Sequence, residues 1–410
     1  TVSMLMTLTV CSSVSQASDI DIYQEAQSGT VTLTLLLDAS GSMRGSTPAR
    51  KDYGAASALT SDQCSTSGGS TDRHPTGGYE RNFCTVIASN AANLPLVREG
   101  CTLQSNGNYR CYDRWSRLRD ALMDLLEGNS AKNVTALEDS RAIGLMIFPP
   151  QDNVYAAKVV VPARTLGTVE GGKTQRQILK EAVQNLVGAS GTPTATAFAE
   201  AGAYMMGTTT KGATTSSPGF ALSVNASKES STGDGVLDKY KMPTTLASQI
   251  TDPNTTQCSG QGVYILSDGE PNNNSTAQNM MHLALTDSKK SNLSCTNSGN
   301  GWDCAHKFAD VLLDRTKNPS GLVLKTAFVG FGKDFNNVIS YDKTDLSIEA
   351  NRLLNLNKIA FGENTTQYKT SINDITSSEL NTNVKNAAAL GIRGQGGWYS
   401  GNSSQDVVDS

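Results

Sequence analysis

The segment VTLTLLLDASGSM, residues 31–43, decides the fold. Its first seven residues are apolar enough for a strand buried on both faces, which is typical of a parallel sheet covered by helices. A D-x-S-x-S pattern follows at once and supplies Asp38, Ser40 and Ser42. Because sites in open α/β sheets form at the carboxyl ends of strands, this segment predicts a buried strand with oxygen-bearing side chains at its end.

Apolar, strand-like runs alternate with helical patterns along the rest of the chain. We predict further strands over residues 142–148, 158–161, 263–266, 322–331 and 397–400. Helical spacing predicts helices over residues 114–126, 174–186, 194–206, 304–315 and 346–356. This alternation predicts an α/β fold with a doubly wound, mostly parallel sheet, resembling a Rossmann arrangement.

Two long polar stretches interrupt the alternation, at about 44–113 and 207–260. The first is rich in glycine and serine and holds four cysteines. Loops of this length are uncommon unless they are functional or cross-linked. We therefore interpret both as disulfide-stapled loop insertions in one domain that covers residues 29–410, after a short N-terminal segment at 18–28.

Composition excludes several classes of protein. The 410 residues include 34 lysines and arginines against 38 aspartates and glutamates, with a pI near 5.5. This balance argues against nucleic-acid binding, which needs a basic face to displace counterions. No run of 18 apolar residues occurs, so we expect no direct membrane insertion. Three histidines leave little room for histidine-based metal sites or catalytic triads.

Residues 1–17 resemble part of an export signal. A short apolar run is followed by small residues, and Ser15-Gln16-Ala17 fits a signal-peptide cleavage site. Two alternatives remain, namely a buried first strand and a lipoprotein anchor at Cys11. Cleavage would send the mature protein through an oxidising compartment, where cysteines form disulfides.

Seven cysteines follow this leader. Neighbours in sequence would pair as Cys64–Cys84, Cys101–Cys111 and Cys295–Cys304, with Cys258 left over. The connectivity stays open, since six cysteines allow 15 pairings. Without a C-x-x-C pair, a zinc ribbon or a thioredoxin-like site is disfavoured.

Two further motifs complete the oxygen cluster. Ser190-Gly191-Thr192-Pro193-Thr194 precedes a predicted helix and supplies the hydroxyl of Thr192. Asp268 lies in Leu266-Ser267-Asp268-Gly269-Glu270-Pro271, directly after a predicted strand. Carboxylates and hydroxyls are hard ligands, which suit Mg²⁺ better than soft metals. Two less specific interpretations of these motifs remain. They could be two unrelated aspartate turns, or they could form a site that only stabilises the fold.

The five residues Asp38, Ser40, Ser42, Thr192 and Asp268 together resemble the metal-ion-dependent adhesion site (MIDAS) of von Willebrand factor A (vWA) domains. The resemblance implies a bound Mg²⁺, or Mn²⁺ or Ca²⁺, with few anionic ligands. It also implies that a carboxylate of a binding partner takes the open coordination position.

Other segments resemble the PilC/PilY family of type IV pilus biogenesis factors and tip-associated adhesins. The similar segments are residues 21–24, 35–43, 266–272, 396–401 and 403–408. The resemblance implies export through the periplasm of a Gram-negative bacterium to the cell surface or pilus tip. It implies minor pilins and a host-cell or surface ligand with an acidic group as partners.

Members of that family carry a carboxy-terminal β-propeller, which is not present in this sequence. A capping-box pattern begins at Ser403, yet the chain stops at Ser410, soon after that helix would begin. We therefore expect this sequence to be a fragment of a longer protein.

Three functions follow as hypotheses. The first is a metal-dependent adhesin and pilus assembly factor, not an enzyme. The second is a structural or force-sensing scaffold in which the metal is incidental. The third, a metal-dependent hydrolase, is disfavoured because no general base or activated nucleophile accompanies the site.

Overall fold

The structure is a computed structural model, and it describes the chain in segments. These segments are residues 31–43, 70–87, 101–186, 189–213, 219–251, 260–268, 271–296, 299–331, 335, 345–361, 382–401 and 404–410. The predicted leader, residues 18–28, Cys64 and Cys258 lie outside them. No helix in these segments is long and apolar enough to cross a membrane.

Strands are numbered along the chain. They are β1 (Thr32–Asp38), β2 (Ser70–Arg73), β3 (Glu80–Val86), β4 (Cys101–Leu103), β5 (Tyr109–Tyr112), β6 (Ala142–Phe148), β7 (Lys158–Thr165), β8 (Val169–Glu170), β9 (Lys173–Thr174), β10 (Lys228–Glu229), β11 (Lys239–Tyr240), β12 (Gln261–Ser267), β13 (Lys325–Phe331) and β14 (Gln395–Gly401).

Helices are numbered in the same way. They are α1 (Arg114–Glu127), α2 (Gln175–Gln184), α3 (Thr194–Met206), α4 (Gly219–Leu222), α5 (Thr244–Thr251), α6 (Ala277–Lys289), α7 (Trp302–Leu313), α8 (Glu349–Phe361), α9 (Thr382–Arg393) and α10 (Ser404–Asp409).

A six-stranded sheet forms the centre of the molecule, in the order β14-β13-β12-β1-β6-β7. Every neighbouring pair is parallel except β6 and β7, which are antiparallel. Leu36 of β1 lies opposite Ile265 of β12 on one side and Met146 of β6 on the other. The predicted α/β class with a mostly parallel sheet is therefore confirmed.

Alternate residues of β1 enter two separate hydrophobic cores, because successive side chains of a strand point to opposite faces. Leu36 packs in the core that includes residues of α3, α6, α7 and α9. Leu33 and Leu37 pack in the core that includes residues of α1 and α2. Both faces of the sheet are thus covered, as the continuous apolar run of β1 predicts.

The described part of the first predicted loop insertion is not a loop. It contains an antiparallel sheet in the order β2-β3-β5-β4, here called the insertion sheet. Its strands are short and rich in charged residues, so hydrophobic alternation gives little signal. Polar cross-links hold it instead, since Asp72 binds both Arg81 (2.9 Å) and Arg110 (2.8 Å). The second predicted insertion contains α4, the β10–β11 pair and α5.

Two of the three expected short-range disulfides are present, Cys101–Cys111 and Cys295–Cys304. Cys84 is disulfide-bonded as well. It lies opposite Cys111 in the β3–β5 register, so Cys84, Cys101 and Cys111 all belong to the insertion sheet, whereas Cys295–Cys304 ties the segment after α6 to α7. The Cys101–Cys111 disulfide therefore stabilises a small sheet with little apolar core of its own, a common use of disulfides.

Candidate metal centre

The candidate site lies where the connections from the central strands diverge. From β1 the chain continues to β6 on one side, and it later returns to β12 on the other side of β1. Asp38 ends β1, and Asp268 directly follows β12. Ligands of open α/β sheets bind at such a switch point, in the crevice outside the carboxyl ends of the strands.

The Asp38 carboxylate is held by both neighbouring strands. Its Oδ1 accepts a hydrogen bond from the backbone N–H of Ser40 (2.8 Å), which bends the chain sharply after β1. Its Oδ2 accepts one from the hydroxyl of Ser267 (2.6 Å), the last residue of β12. Both oxygens are therefore oriented before any ligand arrives.

A chain of hydroxyls joins the two aspartates. Ser40 Oγ and Ser42 Oγ are 2.9 Å apart, and Ser42 Oγ donates to Asp268 Oδ1 at 2.8 Å. Asp38, Ser40 and Asp268 are buried, whereas Ser42 is exposed. The cluster thus opens to the surface at Ser42.

The two carboxylates of this cluster favour a nearby positive charge. Burial raises the pKa of Asp38 to about 7, and repulsion from Asp268 raises it as well. Hydrogen bonds from Ser267 and Ser40 oppose this rise without cancelling it. Two carboxylates that repel each other in a buried site are stabilised by an added positive charge.

Thr192 belongs to a loop that borders both aspartates. The N–H of Ala189 donates to the carbonyl of Ala39 (2.9 Å), next to Asp38. Thr192 and Asn272 are joined twice, by Thr192 N–H to Asn272 Oδ1 (3.0 Å) and by Asn272 N–H to the Thr192 carbonyl (2.9 Å). Direct bonds therefore connect Asp38, Ser40, Ser42 and Asp268, whereas the Thr192 loop contacts Ala39 and Asn272, which lie near Asp38 and Asp268 in sequence.

Asn274 anchors the helix that follows Thr192. Its Oδ1 accepts hydrogen bonds from the N–H groups of Ala195 (2.8 Å) and Thr196 (3.2 Å), in the first turn of α3. Pro193, the residue before α3, makes no side-chain cap of its own. An asparagine from another loop thus satisfies donors that a helix start leaves unpaired.

The sequence analysis missed one charged residue of the site. Arg114 Nη1 lies 2.5 Å from Asp268 Oδ2 and 3.3 Å from the Ser42 carbonyl. Both side chains of the Arg114–Asp268 pair are buried. Arg114 and Asp268 are 154 residues apart, so no local pattern could have revealed the contact.

The donor set fits a hard divalent cation. Carboxylate oxygens of Asp38 and Asp268 and hydroxyls of Ser40 and Ser42 form one connected group. Throughout the described segments no cluster of three or more His, Cys, Asp or Glu side chains is placed to hold a metal. The Asp38 cluster offers a different set of donors, namely two carboxylates and two serine hydroxyls.

Comparisons with known proteins identify no relative. No protein family, curated protein or solved structure matches this chain.

Proposed function

We propose that this protein is a non-enzymatic binding module, in which a divalent cation at the Asp38 cluster presents an open position to an acidic partner. In this proposal the module has a vWA-type fold and serves a PilC/PilY-type adhesin and assembly factor. It is exported to the cell surface, where it acts at the tip of type IV pili. Its partners are minor pilins and a host-cell or surface ligand with an acidic group.

The hydrogen-bonded group of Asp38, Ser40, Ser42 and Asp268 carries this proposal. Those residues come from the ends of β1 and β12, at the switch point of the sheet. The strand order, with one antiparallel edge strand, also supports a vWA-type arrangement. The pilus assignment depends on the sequence resemblance alone.

Each residue has a distinct task in the proposed site. Asp38, Ser40, Ser42, Thr192 and Asp268 would hold Mg²⁺, or Mn²⁺ or Ca²⁺ in its place. When bound, the cation acts as an electrophile toward a carboxylate of the partner. Ser267 keeps the Asp38 carboxylate oriented, and Asn272 keeps the Thr192 turn in place. The exposure of Ser42 gives the partner access.

Binding of this chain to immobilised minor pilins and to a carboxylate-bearing surface tests the function. We expect binding in Mg²⁺, loss in EDTA, and loss in Asp38→Ala in either condition. Glu170→Ala is a matched control, because Glu170 is an exposed acid of the β8–β9 hairpin. Equal binding by wild type and Asp38→Ala, with and without EDTA, would contradict metal-dependent adhesion.

A scaffold role is the second candidate, and the Arg114–Asp268 pair favours it. This pair supplies an internal countercharge, so the site holds together without a metal. A scaffold predicts that Asp38→Ala leaves pilus number and adhesion unchanged, whereas deletion of the whole domain abolishes them. Loss of adhesion in Asp38→Ala at normal expression and melting temperature would exclude that role.

A further inference from the structure

Arg114 is an unusual residue for its position. It is the first residue of α1, whose N-terminus carries the positive end of the helix dipole. A cation there is disfavoured, so helix stability does not explain an arginine at this point. The side chain is 7% exposed and its Nε has no hydrogen-bond partner among the described residues. What it contacts instead is Asp268.

The Arg114–Asp268 contact changes the charge of the site. Asp38 and Asp268 contribute two negative charges when ionised, and Arg114 contributes one positive charge. With both carboxylates ionised, the site therefore carries a net charge of −1 without a metal and of +1 with a divalent cation. A fixed positive charge beside the cation position opposes binding of that cation, since like charges repel strongly where little water screens them.

The insertion sheet holds the helix turn that carries Arg114. Asp113, the residue before it, caps α1 by accepting from the N–H of Ser116 (2.7 Å). Asp113 also accepts from the Asn82 side chain (3.1 Å), and its N–H donates to the Asn82 carbonyl (3.0 Å). The N–H of Asn82 in turn donates to Ser116 Oγ (3.0 Å). Strand β3 is thus bonded to the turn of α1 that carries Arg114.

We infer that Arg114 is a resident cation of this site and that the insertion sheet positions it. Arg114 binds Asp268 and weakens divalent-cation binding until the divalent cation displaces the arginine. The inference rests on the proposed metal site and adds a means of regulation. Anything that moves β3 would change the affinity for the cation. Binding of the cation would in turn loosen the contact between β3 and α1, because coupling between two sites is reciprocal.

Calorimetric titration of the full chain with Mg²⁺ tests the inference at fixed pH and ionic strength. We expect Arg114→Gln to bind Mg²⁺ at least about tenfold more tightly than wild type, because one like charge is removed from beside the divalent ion. Arg114→Lys, which keeps the charge, is expected to stay within about threefold of wild type. Arg176→Gln is the matched control, because Arg176 is a partly buried arginine of α2 whose side chain bonds to the carbonyls of Leu126 and Leu137 and to Asp139 instead.

Unchanged or weaker Mg²⁺ binding by Arg114→Gln would overturn the inference, as would binding by Arg114→Lys that is more than about threefold tighter than that of wild type. If Arg114→Gln unfolds in EDTA, recovery of a cooperative melt on adding Mg²⁺ supports the inference, and failure to recover contradicts it. Asp38→Ala separates this inference from the proposed function. If wild type does not bind Mg²⁺, the proposed metal site is contradicted. If wild type binds Mg²⁺ and Asp38→Ala does not, the metal site is supported, and the Arg114 variants then test the inference by themselves.

Hydrogen exchange gives a second readout. We expect Mg²⁺ to increase amide exchange in β3 and in the first turn of α1 of wild type. The same segments of Arg114→Gln are expected to show no response to Mg²⁺. Identical responses in the two proteins would contradict the proposed coupling to the insertion sheet.

Discussion

Two of the regions that bury acidic side chains do so in different ways. The Asp38 cluster holds two carboxylates at the carboxyl ends of the central strands β1 and β12, beside an exposed serine. The second region surrounds Glu200 of α3, which is fully buried in the larger core. Burial raises the pKa of Asp38 and of Glu200 to about 7 in each case. A raised pKa therefore does not by itself distinguish a binding site from a structural carboxyl.

Glu200 has a closed environment. Its Oε1 accepts hydrogen bonds from Thr210 Oγ1 (2.6 Å) and from the hydroxyl of Tyr240. The Tyr240 ring packs edge-on against Tyr204 and Phe220, which seal the group from solvent. The carboxyl thus ties the chain after α3 and strand β11 to the core. The Asp38 cluster instead has a second carboxylate, a chain of hydroxyls and an opening at Ser42.

The largest expected contrast is in metal affinity. Asp38→Asn removes a charged ligand with little change of shape, and we expect Mg²⁺ affinity to fall by more than about 100-fold, beyond the usual effect of losing an outer-shell partner. Glu200→Gln makes the same chemical change in the closed region and is expected to leave Mg²⁺ affinity unchanged. Calorimetry on both variants measures the contrast, and a similar loss in the two would remove the distinction.

The next contrast is in the pH dependence of stability. Because the pKa of Glu200 is higher in the folded state than in the unfolded state, the folded state binds the proton more strongly. Glu200 therefore contributes stability below its unfolded pKa near 4.5, and this contribution is lost as the pH rises to about 7. Glu200→Gln has no carboxyl at this position, so its stability does not fall with pH in this way. We expect its free energy of unfolding to gain about 3 kcal/mol relative to wild type between pH 4.5 and pH 8.

Urea unfolding of both proteins at these two pH values, in EDTA, measures the gain. The difference between variant and wild type cancels the contributions of other titrating groups. A constant difference at the two pH values would mean that Glu200 titrates normally in the folded protein.

A smaller effect is expected at Ser42. Ser42→Ala removes the hydroxyl that links Ser40 to Asp268, and we expect Mg²⁺ to bind about tenfold more weakly. Ser230→Ala is the control, since Ser230 is a partly exposed serine in the turn between β10 and β11, and its hydroxyl contacts Asp234. Unaltered affinity in Ser42→Ala would exclude its hydroxyl from the metal ligands.

The smallest effect is expected at Tyr240. Tyr240→Phe removes the hydroxyl that bonds to Glu200 and to Ser223 and keeps the aromatic packing, so we expect a loss of about 1 kcal/mol in the free energy of unfolding. The loss should be greater at pH 8 than at pH 4.5, because a charged carboxylate binds the hydroxyl more strongly. Unfolding curves at both pH values check this, and an equal loss at both would contradict it.

The sequence predicts the central elements well because their signals are local. Strand β6 and helix α3 have the predicted bounds, 142–148 and 194–206, since each has a strong apolar pattern with a clear boundary. Helices α6 and α9 were missed. Strand β7 extends from 158 to 165, beyond the predicted end at 161.

The candidate site can be predicted only in part, because some of its residues meet through long-range contacts. Asp38, Ser40, Ser42 and Asp268 follow predicted strands, so their convergence could be anticipated from the parallel sheet. Arg114 could not, because its role depends on how the insertion sheet sets the start of α1. Asn272 and Asn274 had a weak signal, since they closely follow Asp268 in an Asn-rich run. Nothing in that run indicates which asparagine faces the Thr192 turn.

Anomalous diffraction from crystals grown with Mn²⁺ is the decisive test of the proposed metal site. We expect one Mn²⁺ at the carboxyl ends of β1 and β12, within about 2.5 Å of oxygens from Ser40, Ser42 and Thr192 or of waters held by Asp38 and Asp268. An anomalous peak elsewhere, or none at this cluster at saturating Mn²⁺, would contradict it.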